Sequence, residues 1–381
     1  MTPLTTRATP ADPADPGTAA TDPTGLARPG GPAAPGSSPS LRHPLRPAHP
    51  TRTVTTEDGA EIAVYVYGAP TAPVTVLLCH GWTMCAQDWR PHTDALVRPR
   101  RGFPAVRVVT YDQRGHGRST RGEALLDMAL LGSDLALVLG EVAGDGGPVV
   151  LVGHSMGGMS IQQLAAARPG LFGTEVAAVG LVSTCLNEVG AGMTTPRERP
   201  GTPAARRRAQ ARQRVADGLL RSPRSAQAVH RLVTGPLSHP TAAPLWRAVF
   251  GAGPHTETVR EGARAFREIP ALTIAEFYAA LTTHDCAGRL GALRRVPTRV
   301  LVGALDCVTP PAQALRLVED IPGAVLQAVP GQGHDLPYER PVLVVETVHA
   351  LLREIPRSPF VNRETPLTPL TPRPLAEPVL R

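Results

Sequence analysis

The ten residues VVLVGHSMGG, Val149 to Gly158, change character halfway along. An unbroken β-branched and leucine run, the pattern of a buried strand, stops at Gly153-His154-Ser155-Met156-Gly157, and helical spacing follows. This is G-x-S-x-G between a strand and a helix. A serine forced onto so tight a turn needs neighbours without a Cβ, which Gly153 and Gly157 supply. The turn is expected to lift Ser155 above the sheet edge, with the Met156 amide and the positive end of the next helix aimed at the same small volume. An ordinary glycine-rich turn is the alternative for an isolated G-x-S-x-G, and the flanking periodicity argues against it.

Outward from this turn the chain alternates strands with helices. Thr51 to Tyr67 alternates in a strand-like way around Asp58-Gly59 and predicts a hairpin. Val74 to Cys79 is a short apolar strand ending in His80-Gly81-Trp82-Thr83, where the Trp82 amide is a second candidate oxyanion donor. Val106 to Tyr111 predicts the next strand, and its loop Asp112 to Ser119 gives Asp112 and His116 structural rather than catalytic roles. A helix over Leu125 to Glu141 precedes the central strand, and Ser160 to Arg168 continues as a helix after it. Val176 to Ser183 predicts another strand. This order predicts a mostly parallel sheet covered on both faces.

From about Asn187 to Gly288 the strands disappear, and Arg- and Ala-rich helical stretches are broken by prolines. Helices inserted after a central strand are expected to sit as a cap over the sheet edge where open α/β folds bind ligands. Trp246, Phe250, Phe266, Phe277 and Tyr278 either line a pocket there or hold the cap helices together. Met84 and Trp89, near Trp82, suggest an apolar entrance. The run Arg206-Arg207-Arg208 reads as a solvated helix face. Strands resume at Thr298 to Val302 and Ala324 to Val329, with helices from Pro310 to Glu319 and Val342 to Leu352.

Three residues then fall just past strand ends: Ser155, Asp306 and His334. A serine hydroxyl is a poor nucleophile at neutral pH and needs a base with a pKa near 7, which imidazole supplies. An acid must hold that imidazole in the right tautomer, and Asp306 is better placed than Asp285, Asp320 or Asp335. For Asp306 the competing reading is a turn-forming aspartate, and for His334 an exposed loop histidine.

Composition narrows the alternatives. Residues 1–50 and 356–381 are rich in Pro, Ala and Thr and are expected to be disordered, leaving core segments 51–186 and 289–355 around the cap at 187–288. The net charge of +7 comes entirely from arginine, with no lysine, and only 4% of residues are aromatic. That is composition bias rather than a nucleic-acid footprint, which interleaves basic and stacking residues. Cys79, Cys85, Cys185, Cys286 and Cys307 are odd in number, form no C-x-x-C pair and read as small hydrophobes rather than disulfides or metal ligands. No secretory leader or membrane-span pattern is found, so a soluble cytoplasmic protein acting on a small molecule is expected.

The stretches LLCHGWTM, VVTYDQRGHGRST, VLVGHSMGG, VLVGALDCVTPP and PGQGHDLPYERP together resemble the α/β-hydrolase superfamily, in its capped esterase, lipase and perhydrolase-like branch. The resemblance covers roughly residues 50 to 355. It implies an α/β-hydrolase fold with a helical cap after the sixth strand, and a triad of Ser155, Asp306 and His334 in that chain order. It further implies an oxyanion hole of the Trp82 and Met156 amides, with no cofactor. The expected activity is hydrolysis of a small to medium apolar ester or lactone. A cofactor-free perhydrolase or carbon–carbon bond hydrolase with the same triad is the alternative enzyme reading, and a non-catalytic ligand-binding relative the alternative outside enzymes.

Overall fold

The computed structural model describes residues 49–143, 147–187 and 269–355, with a few isolated positions between 189 and 228. The proposed terminal segments and most of the proposed cap, Trp246, Phe250 and Phe266 included, lie outside the described residues.

Eight strands form one sheet: β1 (Arg52–Thr55), β2 (Glu61–Tyr67), β3 (Val74–Cys79), β4 (Val106–Tyr111), β5 (Val149–His154), β6 (Val176–Val182), β7 (Thr298–Gly303) and β8 (Val325–Val329). Their spatial order is β1-β2-β4-β3-β5-β6-β7-β8. The first hairpin is antiparallel, as is β2 against β4; every later pairing is parallel. Seven described helices accompany it: α1 (Arg90–Leu96), α2 (Met128–Ala143), α3 (Met156–Ala167), α4 (Ala271–Thr282), α5 (Pro311–Asp320), α6 (Leu336–Glu339) and α7 (Pro341–Glu354).

The apolar runs are continuous because both faces of the sheet are covered. Successive strand residues point to opposite sides. Leu77, Leu151 and Leu181 therefore join one core with Leu135 and Leu139 of α2 and Leu164 of α3. Their neighbours Leu78, Val152 and Val182 join the other, with Leu96 of α1 and Val344, Val348 and Leu351 of α7. Trp89 lies wholly buried in that second core with its ring edge-on to His92, which corrects its reading as an entrance residue. It ends a single 3-10 turn, Ala86–Trp89, that turns its large apolar face inward beneath the sheet rather than toward the ligand edge.

The chain leaves and re-enters the sheet around the proposed insertion at one point. Leu186 accepts a hydrogen bond from the Cys286 amide at 3.0 Å, and Asn187 bridges to Asp285. Of the cysteines, Cys79, Cys185 and Cys286 are buried, while Cys85 and Cys307 are half-buried. Among the described residues no helix is long and apolar enough to cross a membrane.

Candidate active site

Ser155 sits between β5 and α3 with φ +50° and ψ −117°, a conformation rare for a residue with a side chain. Such strain costs about 1–3 kcal/mol and persists only where surrounding bonds enforce it. Here they do. The Ser155 amide donates to Val182 at 2.9 Å, while its carbonyl accepts from Thr184 Oγ1 at 2.9 Å and from the Met159 amide at 3.1 Å. The glycine requirement is equally concrete: a Cβ on Gly157 would fall 2.2 Å from the Cys79 carbonyl oxygen, and one on Gly153 2.5 Å from the Gly157 backbone.

His334 Nε2 lies 3.0 Å from Ser155 Oγ, and His334 Nδ1 lies 2.9 Å from Asp306 Oδ2. In the neutral imidazole, the assignment satisfying both contacts puts the proton on Nδ1, donating to the carboxylate, and leaves Nε2 to accept from the serine hydroxyl. Burial works against the imidazolium, but the charge and hydrogen bond of Asp306 outweigh it, so the His334 pKa is raised above its ordinary 6.5. Asp306 is itself fixed. It accepts from the amides of Val308 and Thr309 and from Thr309 Oγ1 at 2.8–2.9 Å, a closed turn of the D-x-x-T kind.

The histidine loop is tied down on both sides. Glu339 accepts from the amides of Gly333 and Asp335, the two neighbours of His334. Gly303, at the end of β7, lets this loop close on the acid loop, since a Cβ there would lie 2.0 Å from the Gly333 carbonyl oxygen.

Of the two oxyanion candidates, Met156 opens α3, where the first amides have no intrahelical acceptor. The Trp82 amide finds no acceptor among the described residues. A buried network braces both loops. The Gln113 amide donates to His80 Nε2 at 2.9 Å, its side-chain amide donates to the His80 carbonyl, and Ser160 Oγ donates to Gln113 Oε1 at 2.7 Å. His116 Nε2 accepts from the Thr83 amide at 3.3 Å. His80 and His116 must be neutral to accept in this way, and burial lowers their pKa values to about 4 and about 3.

Around this centre the surroundings are apolar. Met156, Met159, Phe277 and Leu281 pack in one cluster with Leu126, Leu131 and, at its margin, Trp82. The Trp82 and Tyr278 rings lie 6.2 Å apart, and those of His116 and Phe277 5.0 Å. A bidentate ion pair between Arg121 and Glu276, at 2.6–2.7 Å, fastens α4 to the loop after β4. Met84 is buried with its sulfur 3.2 Å from His154 Nδ1. The structure thus brings Ser155, Asp306 and His334 together, and Phe277 packs beside Met156. Thr184, Thr309 and Glu339 were not singled out from sequence. The D-x-x-T spacing offered a signal for Thr309; Thr184 and Glu339 act through backbone groups that no motif marks.

Among the described residues no cluster of three or more His, Cys, Asp or Glu is placed to hold a metal ion.

Residues 76–347 match the family model described as alpha/beta hydrolase family. The chain is 38% identical over 116 residues to a bifunctional esterase/perhydrolase of Acinetobacter calcoaceticus, a match spanning 30% of this chain and 39% of that protein. It is 28% identical to a non-heme chloroperoxidase of Burkholderia pyrrocinia over 286 residues, 74% of this chain and 92% of the relative. The matches to the first relatives thus span only about two fifths of their length. Among solved structures, a thermophilic esterase from Thermogutta terrifontis superposes with a TM-score of 0.58 at 23% identity, covering 80% of this chain and 98% of the esterase, a likeness of fold. With the family match spanning most of its length and the sheet, turn and loops arranged as described, the chain belongs to the alpha/beta hydrolase family.

Proposed function

We propose that this chain is a serine hydrolase that cleaves a small to medium apolar carboxylic ester or lactone through an acyl-enzyme. The observation that carries the reading is the unbroken line Ser155 Oγ, His334 Nε2, His334 Nδ1, Asp306 Oδ2, with both links at 3.0 Å or less. In the first half-reaction Ser155 Oγ attacks the carbonyl carbon while His334 Nε2 takes its proton. The amides of Trp82 and Met156 stabilise the oxyanion, and the imidazolium returns the proton to the leaving alcohol. In the second half a water, deprotonated by His334, attacks the acyl carbon and frees Ser155. Acyl transfer of this kind needs no metal or organic cofactor, and the reading takes the protein as a cytoplasmic enzyme of small-molecule metabolism.

The apolar preference rests on Met156, Met159, Phe277 and Trp82, which offer hydrocarbon rather than charge beside the serine. We also assign residues 187–288 to a cap, because Leu186 and Cys286 meet at the end of β6 and α4 packs beside the site. The Acinetobacter relative favours a second reading, perhydrolysis, in which hydrogen peroxide replaces water as the acceptor and a peracid leaves.

The test is a fluorophosphonate probe with adduct mapping by mass spectrometry, alongside hydrolysis of 4-nitrophenyl esters from acetate to octanoate. Labelling at Ser155 and loss of turnover in Ser155→Ala are expected, with the best chain length sizing the pocket. Full turnover by Ser155→Ala would sink the reading. Added hydrogen peroxide, with peracid measured as product, separates hydrolysis from perhydrolysis.

A further inference from the structure

His154 is the second residue of the serine turn, and its imidazole is buried among the three loops that make up the site. Its Nε2 lies 3.0 Å from the carbonyl oxygen of His334 and 3.8 Å from Asp335 Oδ1. Its Nδ1 lies 3.2 Å from Met84 Sδ, and a Cβ on Gly81 would sit 2.7 Å from that same nitrogen. The ring is 5.1 Å from that of His334. The His334 carbonyl can only accept, so the tautomer that satisfies this 3.0 Å contact carries its proton on Nε2. Asp335 Oδ1 is buried with no hydrogen-bond partner, and His154 Nε2 stands 3.8 Å from it.

Glu339 fixes the amides on either side of His334, but neither bond sets how far the His334 backbone stands from β5. The His154 bond does, because His154 ends β5 and adjoins the nucleophile. We propose that His154 is a positioning residue, resting on the acyl-transfer reading above: its Nε2–H holds the His334 carbonyl while its ring carries the Gly81–Met84 loop. One side chain thereby keeps the base and the Trp82 oxyanion donor in a fixed relation to Ser155. The titratable groups near it are His334 and Asp335 of the histidine loop, with Glu339 of α6 behind Asp335, and His80 and His92. Burial, then the nearby His334, keeps His154 well below the usual histidine pKa, so it stays a neutral single donor throughout the working range.

The test compares wild type, His154→Phe, His154→Gln and Ser155→Ala on 4-nitrophenyl butyrate, with kcat, KM and the pH profile of kcat/KM recorded for each. Phenylalanine keeps the ring and removes the donor; glutamine keeps a donor. His154→Phe is expected to lose roughly 10–100-fold in kcat with KM nearly unchanged, as misplacement of a base by about an ångström does. His154→Gln is expected to recover most of that loss. A purely structural role would lower the melting temperature of both variants and leave kcat and the pH profile of the folded fraction alone, which would overturn the proposal. A variant that does not fold leaves the decision to wild-type protein labelled with ¹⁵N-histidine. NMR is expected to find the His154 proton on Nε2 from pH 6 to 8, and a proton on Nδ1 overturns the proposal. If wild type and Ser155→Ala are equally inactive and the fluorophosphonate leaves Ser155 unmodified, the acyl-transfer reading fails separately, and the NMR result still judges the bond.

Discussion

Ser155 and His334 are 179 positions apart in the chain, yet the serine oxygen and the imidazole Nε2 are 3.0 Å apart. Nothing local to either residue enforces this. It follows from β5 and β8 running parallel in one sheet with β6 and β7 between them, so that the loops leaving their C-terminal ends converge at one edge.

Asp306 is expected to set both the tautomer and the basicity of His334. Asp306→Asn should lower kcat by about 10³–10⁴-fold, because the amide favours the wrong tautomer. The base works only when neutral, so kcat/KM should fall as pH drops through the raised His334 pKa, above the ordinary 6.5. Removing the Asp306 charge should move the midpoint of that acidic limb to lower pH. An unchanged midpoint would show that Asp306 does not govern the base.

Gly303 offers a probe that is not itself a member of the triad. Gly303→Ala puts a methyl group 2.0 Å from the Gly333 carbonyl oxygen, so the histidine loop must move off the acid loop. A loss of about 10²-fold in kcat is expected from displacement on that scale, with the sheet intact by circular dichroism. Wild-type kcat in this variant would show that the loop position is not critical.

Arg114 is fully buried and bridges Asp58 of the first hairpin and Asp134 of α2 at 2.5–2.7 Å. Arg114→Met should destabilise the protein by about 3–5 kcal/mol, since it leaves Asp134 buried without its partner. Arg114→Met with Asp134→Leu should recover part of that loss in urea unfolding. No recovery would mean that the pair matters through packing alone.

Acid should destabilise the fold through its neutral buried histidines. His80, His92 and His116 are held at about 4, about 3 and about 3, while in the unfolded chain they titrate near 6.5. The unfolded state therefore binds more protons as pH falls below 6.5, and stability present above that value is lost progressively toward pH 4. His80 alone contributes on the order of 3 kcal/mol by this linkage. Asp335, raised to about 7, opposes the trend because its folded form takes up a proton first, as do Asp88, Asp112, Asp134 and His334, whose values are also raised, while the lowered His154 and His284 add to the acid loss. Urea midpoints should fall between pH 7 and pH 5; a flat profile would count against buried neutral histidines.

Most of the sheet was legible in the sequence because its strands are buried on both faces. Val74–Cys79 and Val106–Tyr111 are apolar runs ended by turn residues, and the expected boundaries coincide with β3 and β4. The helix expected to continue over Ser160 to Arg168 begins at Met156, and its glycines at 157 and 158 serve close approach to Cys79 and Thr184. The expectation of an apolar entrance at Trp89 fails, because the residue is buried in the core. An aromatic six residues past the His80–Thr83 turn carries no sign of which side of the sheet its own turn will face.

The chain order Ser155, Asp306, His334 and the glycines around them are properties of the sequence, as is the alternation that makes a covered parallel sheet. They follow from steric and hydrophobic rules that act over a few residues. The register that sets Ser155 against His334, the contact of Asp306 with His334 Nδ1, and the place of His154 between three loops belong to tertiary structure. Asp335 adjoins His334 in the chain, but its carboxyl is turned toward His154, while Asp306 arrives from a neighbouring strand end to face Nδ1. Distance along a chain does not fix direction in space; packing of the sheet and its loops does.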